Sequence, residues 1–413
     1  MTTLFINISC LVNVREDQYL LRGKDLSSLP CIENAFLLVE DEQIAAYGHM
    51  YELELTLPVQ PLVTIDMHGC MILPAWCDSH THIVFAGSRE TEFVDKINGL
   101  SYAEIAAKGG GILNSAAKLS AATEDELFNA AWKRLEEVSR LGTGAIEIKS
   151  GYGLTVEAEL KMLRVIKKLK EKSPLLIKST FLGAHTFPAQ YKENHEAYIN
   201  LITDEMLPVI AQEKLADYID VFCETGFFSP AEMETICKAG IAAGLKPKLH
   251  INQLNSIGGL QAAIAMKAIS ADHLETMTDQ DIVDLSQSSM IGTLLPTAAF
   301  FLRMPFQPAR KMIDAGSAIA LASDFNPGSS PSGNMNFVVS LACIQMKMLP
   351  EEAINAATLN GAYAMETQNE TGSITIGKKA NLIFTKPVPS LAYLPYAFGS
   401  NLVDKVMING QYV

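Results

Sequence analysis

The sequence lacks the features of a membrane protein and of a disulfide-rich secreted protein. Its seven cysteines, at positions 10, 31, 70, 77, 223, 237 and 343, are odd in number and contain no C-x-x-C spacing, which disfavours a disulfide framework and a thiolate zinc site. No uncharged apolar run reaches the length of a bilayer span, and the opening MTTLFINISC has no basic segment or cleavage pattern. These absences predict a cytoplasmic protein with buried free thiols.

Positive charge is also in short supply. The 413 residues include 32 Lys and Arg against 46 Asp and Glu, a formal net charge of -14 that is spread along the chain. Such a surface repels nucleic acids and anionic membranes, so we expect neither as a partner. An anionic small molecule would have to be bound by a local cation.

The pattern of apolar runs divides the chain into three parts. Residues 1–70 alternate short apolar runs with turn residues, which predicts a small β unit. Residues 71–365 alternate β-rich runs with amphipathic stretches, which is typical of an α/β fold, a (β/α)₈ TIM-like barrel. Residues 366–413 return to β-like runs that we expect to complete the first sheet. The predicted barrel strands are MILPAW (71–76), GAIEIKS, LLIKSTFLG, YIDVFC, KPKLHIN, AISADH, MIGTLLP and AIALASD.

Five of the eight histidines follow or end a predicted barrel strand, at the face where such barrels carry their chemistry. His80 and His82 follow strand one, His185 follows strand three, and His250 and His273 end strands five and six. Side chains at i and i+2 of an extended segment point the same way, so His80 and His82 can bind one ion. Taken alone, the pair is also compatible with two surface or packing histidines.

Asp324 ends the eighth predicted strand, in LASDFNPGSSPSG. An Asx-turn or helix cap is the ordinary role of an Asp in that setting. We favour a metal ligand, because His80, His82, His250 and Asp324 together supply the nitrogen and oxygen ligands of a catalytic metal with an open position. Zinc and iron both accept such a set.

These residues and their order resemble the amidohydrolase superfamily over essentially the whole chain. The finer motifs resemble the imidazolonepropionase family; they are HTHIVFAGSRETEF, GGGI, KSGYGL, FLGAHTFP, FCETGFF, KLHINQLNSIGG, ADHLE and SDFNPGSSPSGNM. The resemblance implies a barrel with a small β-sandwich built from both termini and one Zn²⁺ or iron ion (Fe²⁺ or Fe³⁺) per subunit. It implies hydrolysis of the cyclic amide 4-imidazolone-5-propanoate to N-formimidoyl-L-glutamate in histidine degradation, and it is compatible with a homodimer.

An anionic substrate of this kind needs a cation, and Arg89 can offer a bidentate fork to its carboxylate. A surface arginine near Glu90 and Glu92 is the alternative. Tyr152 lies between two glycines that let the backbone approach a ligand. The resemblance implies substrate contacts from Tyr152, His185, Gln253, Asn326, Gly328 and Ser329. Tyr102, in the segment before the triple glycine, is a weaker candidate that is equally compatible with a surface helix tyrosine.

The expected mechanism is attack on the ring carbonyl by a water that the metal activates. Asp324 would carry the water proton to the leaving ring nitrogen, His273 would donate to the oxyanion, and His185 would hold the ring or assist. Some relatives carry Glu where this chain has Gln253. An amide does not accept a proton at neutral pH, so proton transfer falls to Asp324 and His273.

Two other functions compete with this one. One is a hydrolase or deaminase of another small nitrogen heterocycle, which would not need Arg89 and Tyr152 as a carboxylate clamp. The other is an inactive barrel used as a binding module, which should have lost metal ligands. Lys149, at the end of strand two, could bridge two metals if carboxylated. A structural or substrate-facing lysine is favoured, because the resembling family holds one metal.

Overall fold

The protein contains two eight-stranded sheets, one built from strands of the N- and C-terminal segments and one from the central part of the sequence. The structure is a computed structural model that describes residues 2–59, 61–100, 104, 108 and 110–413. The strands are β1 (Thr2–Val12), β2 (Cys31–Glu40), β3 (Gln43–His49), β4 (Val63–Asp66), β5 (Met71–Pro74), β6 (Trp76–Thr81), β7 (Thr143–Lys149), β8 (Leu176–Ala184), β9 (Tyr218–Cys223), β10 (Lys246–Ile251), β11 (Ser270–His273), β12 (Ile291–Leu294), β13 (Ala318–Leu321), β14 (Leu382–Thr385), β15 (Val403–Ile408) and β16 (Gln411–Tyr412).

The helices of the described residues mostly follow barrel strands, whereas Leu53–Thr56 follows β3. Their bounds are Leu53–Thr56, Glu90–Ile97, Ile112–Ala121, Glu124–Arg140, Val156–Lys172, His195–Asn200, Leu207–Glu213, Pro230–Ala242, Gly259–Ala265, Asp279–Gln287, Pro296–Leu302, Ala309–Asp314, Met335–Met346, Pro350–Ala357, Leu359–Ala364 and Tyr393–Tyr396. Short 3₁₀ segments cover Gly23–Ser27, Met50–Glu52 and Ala189–Tyr191, and a π-helical segment covers Leu201–Met206.

The central sheet is a parallel barrel, which confirms the predicted fold class. Strands β6 to β13 pair in chain order, and every pair is parallel. A bridge between Thr81 and Phe325 joins the ends of the first and last strands. There the Asp324 amide donates to the His80 carbonyl at 3.0 Å, and the His82 amide donates to the Phe325 carbonyl at 2.9 Å. Closure of the barrel therefore brings the H-x-H motif beside Asp324.

The second sheet combines N- and C-terminal strands in the order β16-β15-β14-β5-β1-β2-β3, with β4 paired to β1. The interpretation of MILPAW as the first barrel strand was wrong. Met71–Pro74 pairs antiparallel with β14 and parallel with β1, and the first barrel strand is Trp76–Thr81. Both strands are fully buried, so burial does not distinguish the sheet to which each belongs.

The barrel helices begin and end where the sequence supplies caps. Thr123 caps Glu124–Arg140 through a capping box with Glu126, and Thr155 caps Val156–Lys172. The second of these helices ends before Pro174, a residue that cannot continue it. Apolar faces of both helices pack into the largest buried core cluster.

Two expectations about exposure can be compared with the structure. All seven cysteines are free, but only Cys77, Cys223 and Cys237 are buried, and Cys31 is exposed. The expectation of seven buried thiols was therefore wrong for four of them. Among the helices of the described residues, none has both the length and the apolar character required to cross a membrane.

Candidate metal and substrate site

The imidazoles of three histidines converge at the C-terminal end of the barrel. His80 lies in β6, His82 directly follows that strand, and His250 lies in β10. One nitrogen of each ring lies within 4.8 Å of the others. The Nε2 atoms of His80 and His82 are 3.3 Å apart, and both lie 3.6 Å from Asp324 Oδ1. His80 and His82 therefore lie close both to His250 and to Asp324, and His80 also forms a second group with His273 and Asp324 that could hold a metal ion.

Buried carboxylates fix the orientation of two of these rings. Asp272 accepts a hydrogen bond from His80 Nδ1 at 2.7 Å, and Asp220 accepts one from His250 Nδ1 at 2.8 Å. A carboxylate that accepts from Nδ1 leaves the Nε2 lone pair of the ring free for a ligand bond. Both rings consequently direct an acceptor nitrogen toward the other ligands.

The donor set fits a cation. Burial lowers the pKa of His80, His82 and His250 well below the usual range, so the rings are neutral. Two neutral nitrogens 3.3 Å apart with a carboxylate oxygen nearby gain a shared partner when an ion is bound. Three imidazole nitrogens and one carboxylate oxygen match the N/O ligand sets of catalytic zinc and iron.

Asp324 is held by the turn that follows it. Asn326 Oδ1 accepts from the amides of Gly328 and Ser329, both at 2.8 Å, so Asn326 makes the Asx-turn that was the alternative role for Asp324. Ser329 Oγ donates to Asp324 Oδ2 at 3.1 Å, which leaves Oδ1 directed toward the histidines. Burial raises the pKa of Asp324 to about 6.

A cavity of about 480 Å³ opens above the histidine cluster. Of the residues predicted for the site, it is lined by His82, Arg89, Tyr152, His185, Gln253, His250, His273, Asp324, Asn326, Gly328 and Ser329. His80 is fully buried and is not among the lining residues. Tyr102 lies outside the described residues. The space is of the size that small-molecule sites occupy in proteins.

Arg89 is held at this cavity by Glu92. Glu92 Oε2 accepts from Arg89 Nε at 2.8 Å and also from Nη2, while its Oε1 accepts from the Gly111 amide at 3.0 Å. Arg89 Nη1 faces Gly328, where an added Cβ would lie only 2.3 Å from it. Arg89 is therefore an anchored side chain of the cavity wall and not a free surface arginine.

Tyr152 and His185 lie side by side on another part of the wall, with ring centroids 5.6 Å apart. His185 Nδ1 donates to the Gly151 carbonyl at 3.0 Å, and burial lowers its pKa to about 4, so the ring is neutral. Burial raises the pKa of Tyr152, so its hydroxyl keeps its proton. Both side chains can offer hydrogen bonds to a ligand.

His273 differs from the other site histidines in its charge environment. Its Nδ1 lies 3.3 Å from Glu275 Oε1, which also accepts from Gln307 Nε2 at 3.0 Å. Burial lowers the pKa of His273, but the Glu275 charge and neighbouring carboxylates outweigh it and raise the pKa overall. The ring is thus suited to donate a proton or hydrogen bond toward the cavity.

Full-length comparisons assign the chain to a family. The amidohydrolase family model matches residues 71–413. Imidazolonepropionase of Flavobacterium johnsoniae is 58% identical, and that of Christiangramia forsetii is 55% identical; each alignment covers 100% of this chain and 100% of the relative. The chain belongs to the imidazolonepropionase group of the amidohydrolase family.

Solved structures agree with an amidohydrolase fold. An adenosine deaminase from Xanthomonas campestris with bound zinc has a TM-score of 0.71 at 15% identity, covering 99% of this chain and 92% of that chain. A triazine hydrolase variant has a TM-score of 0.73 at 14% identity, covering 100% of this chain and 94% of that chain. At 15% and 14% identity, these two structures support the fold of this chain and nothing further.

Several residues that support the site were missed in the sequence. They are Asp220 and Asp272, which orient His250 and His80, together with Glu92, Glu275 and Lys96, the last of which lines the cavity. A signal existed for the two aspartates, because YIDVFC and AISADH place a carboxylate inside an apolar strand. Buried charges in such runs usually have a charged or hydrogen-bonding partner.

Proposed function

We propose that this amidohydrolase hydrolyses 4-imidazolone-5-propanoate to N-formimidoyl-L-glutamate, the ring-opening step of histidine degradation. One observation carries the proposal: a single cavity is lined both by His82, His250 and Asp324 of the histidine and aspartate cluster and by the anchored guanidinium of Arg89. A cyclic amide with a carboxylate tail needs both, one at each end. The full-length identity to imidazolonepropionases supports the same substrate.

The proposed metal ligands are His80, His82, His250 and Asp324, for one Zn²⁺ or one iron ion per subunit. When bound, such an ion polarises a carbonyl oxygen and lowers the pKa of a coordinated water toward 7. Support for the set comes from the convergence of neutral nitrogens with a carboxylate oxygen. Metal analysis of the purified protein decides between zinc and iron.

The reaction balances as one water added across one C–N bond. A C–O bond forms at the ring carbonyl, the bond from that carbon to the ring nitrogen breaks, and a proton of the water reaches the leaving nitrogen. We assign that proton transfer to Asp324, whose Oδ1 faces the histidines. His273 donates to the oxygen that gains charge, and neutral His185 holds the ring.

The substrate carboxylate is assigned to Arg89, with Tyr152 beside it. Gln253, Asn326, Gly328 and Ser329 complete the proposed substrate contacts by hydrogen bonds from side chains or backbone. Tyr102 stays a prediction from the sequence.

Two further parts of the proposal concern the whole enzyme. Seven free thiols suit the reducing cytoplasm, which is the proposed location. A homodimer is the proposed assembly, and light scattering of the eluted protein tests it.

A substrate comparison tests the proposal against deamination of another heterocycle. The protein is incubated anaerobically with 4-imidazolone-5-propanoate, with the same ring lacking the propanoate, and with adenosine and guanine. We expect N-formimidoyl-L-glutamate from the first and little or no turnover of the others. Ammonia release from adenosine or guanine without ring opening of the imidazolone would favour a deaminase, and no turnover by metal-loaded protein would favour a binding module.

A further inference from the structure

Lys149 is enclosed by three carboxylates beneath the histidine cluster. Its Nζ lies 2.7 Å from Glu147 Oε1, 2.9 Å from Asp220 Oδ2 and 3.6 Å from Asp272 Oδ2. None of these four side chains has any exposure. A buried ammonium group with such partners is costly to desolvate, so its position needs a reason beyond general stability.

Two of the oxygens that contact Lys149 are the same atoms that orient the histidines. Asp220 Oδ2 accepts from His250 Nδ1 at 2.8 Å, and Asp272 Oδ2 accepts from His80 Nδ1 at 2.7 Å. Lys149, on β7, therefore contacts the carboxylate on β9 that orients His250 and the carboxylate on β11 that orients His80. The other oxygen of each carboxylate is also bound: Asp220 Oδ1 accepts from the His250 amide at 3.0 Å, and Asp272 Oδ1 accepts from Ser270 Oγ at 2.6 Å. Lys149 adds a cation on the oxygens that face the imidazoles, so its loss weakens the hold on the histidine side of both carboxylates.

We propose that Lys149 is a positioning residue that holds the two carboxylates which orient the metal-ligating histidines. The role rests on the proposed ligand set and deepens it. It also argues against carboxylation of Lys149, because a carbamate would place a further negative charge among three carboxylates.

Lys248 provides a matched control within the same buried cluster. It forms an ion pair with Glu147 and donates to the carbonyls of Ala364 at 2.8 Å and Ser79 at 3.3 Å. Like Lys149 it is fully buried, but none of its described contacts is with Asp220 or Asp272. Replacement of Lys248 removes a buried positive charge without freeing either orienting carboxylate.

The test compares Lys149→Met with Lys248→Met in the full chain loaded with zinc. Zinc release into excess chromogenic chelator gives a rate, and the visible spectrum of the cobalt-substituted protein reports on the ligand geometry. We expect Lys149→Met to release zinc about tenfold faster than the wild type, as loss of outer partners of metal ligands generally does. Its cobalt spectrum should change as well. Lys248→Met should release zinc within about threefold of the wild-type rate, even if its Tm falls by as much as that of Lys149→Met.

Equal release rates and unchanged cobalt spectra in the two folded variants would overturn the role of Lys149. If Lys149→Met does not fold, Glu147→Gln is added to each variant. In the wild type, Lys149 and Lys248 face the carboxylates of Glu147, Asp220 and Asp272, which leaves one net negative charge. Each double variant loses one lysine and one carboxylate charge, so the net charge of the cluster is unchanged. Failure of the wild type to bind one zinc per chain would instead refute the proposed ligand set.

Discussion

At the scale of single residues, the site depends on backbone conformations that could not be predicted from the sequence. His273 has φ +87° and Asp324 has φ +54°, in the left-handed region that non-glycine residues rarely adopt. Such conformations cost free energy and tend to occur at functional sites. The sequence identified both residues as site candidates from their positions at strand ends, but the conformation that turns them into the site comes from tertiary structure.

Asp324 gives the first prediction. Asp324→Asn keeps the shape of the side chain but removes its ability to take up and release a proton, so we expect kcat to fall by about 10²- to 10⁴-fold. Loss should occur even in protein that still contains metal. Metal content and turnover are measured on the same sample. An Asn variant with wild-type kcat would remove Asp324 from the proton path.

Glu92 gives the second prediction. In Glu92→Gln the amide cannot accept from Arg89 and from the Gly111 amide together, so Arg89 loses its fixed position. We expect KM for the imidazolone to rise about tenfold with a smaller change in kcat, the size of one weakened charged hydrogen bond. Steady-state kinetics measure the effect.

Glu90→Gln is the control for Glu92, because it changes an exposed carboxylate in the first turn of the same helix. Equal KM values for the two variants would show that Glu92 does not act through Arg89.

Gln253 gives the third prediction. A carboxylate at this position can exchange protons where an amide cannot, so Gln253→Glu should change the pH dependence of kcat/KM. The full pH-rate profile is compared with that of the wild type. Superimposable profiles would count against any difference in proton handling at this position.

At the scale of elements, the loop after β7 is built around a buried acid. Glu159 accepts from the amides of Gly151 at 3.2 Å, Gly153 at 2.6 Å and Leu154 at 3.1 Å. The loop carries Tyr152 into the cavity wall. The helix Val156–Lys172 thus supports the substrate site through one side chain in its first turn.

The fourth prediction follows from that support. Glu159→Gln leaves at least one backbone donor without an acceptor, and displacement of a binding residue by about 1 Å can cost up to 10²-fold in rate. We expect kcat/KM to fall about tenfold. Glu157→Gln, on the exposed face of the same turn, should leave kcat/KM unchanged. Equal kinetics for the two variants would contradict a role for the Glu159 contacts.

The elements also show what the sequence could predict. The alternation of apolar runs and amphipathic helices predicted the barrel, because each βα unit is a local pattern. It misassigned Met71–Pro74, because pairing of β5 with β14 joins residues far apart in the chain. The same limit concealed the contacts of Lys149 with Asp220 and Asp272, which unite three strands.

At the scale of the whole molecule, the chain passes directly from the terminal sheet into the barrel, because β5 ends at Pro74 and β6 begins at Trp76. The predicted domain limits, 1–70, 71–365 and 366–413, remain our proposal for the division of the chain. The family was predicted correctly because its motifs lie at strand ends in a fixed order. The roles of individual site residues stay predictions that the variants above test.

Metal-dependent ring opening is tested by following the imidazolone chromophore of freshly prepared 4-imidazolone-5-propanoate in anaerobic buffer. The purified protein is assayed as prepared, after chelation, and after return of zinc or iron. We predict turnover that chelation abolishes and one ion per chain restores. A folded protein that binds metal but leaves the chromophore unchanged, or that turns over equally after complete metal removal, would refute metal-dependent hydrolysis of the imidazolone.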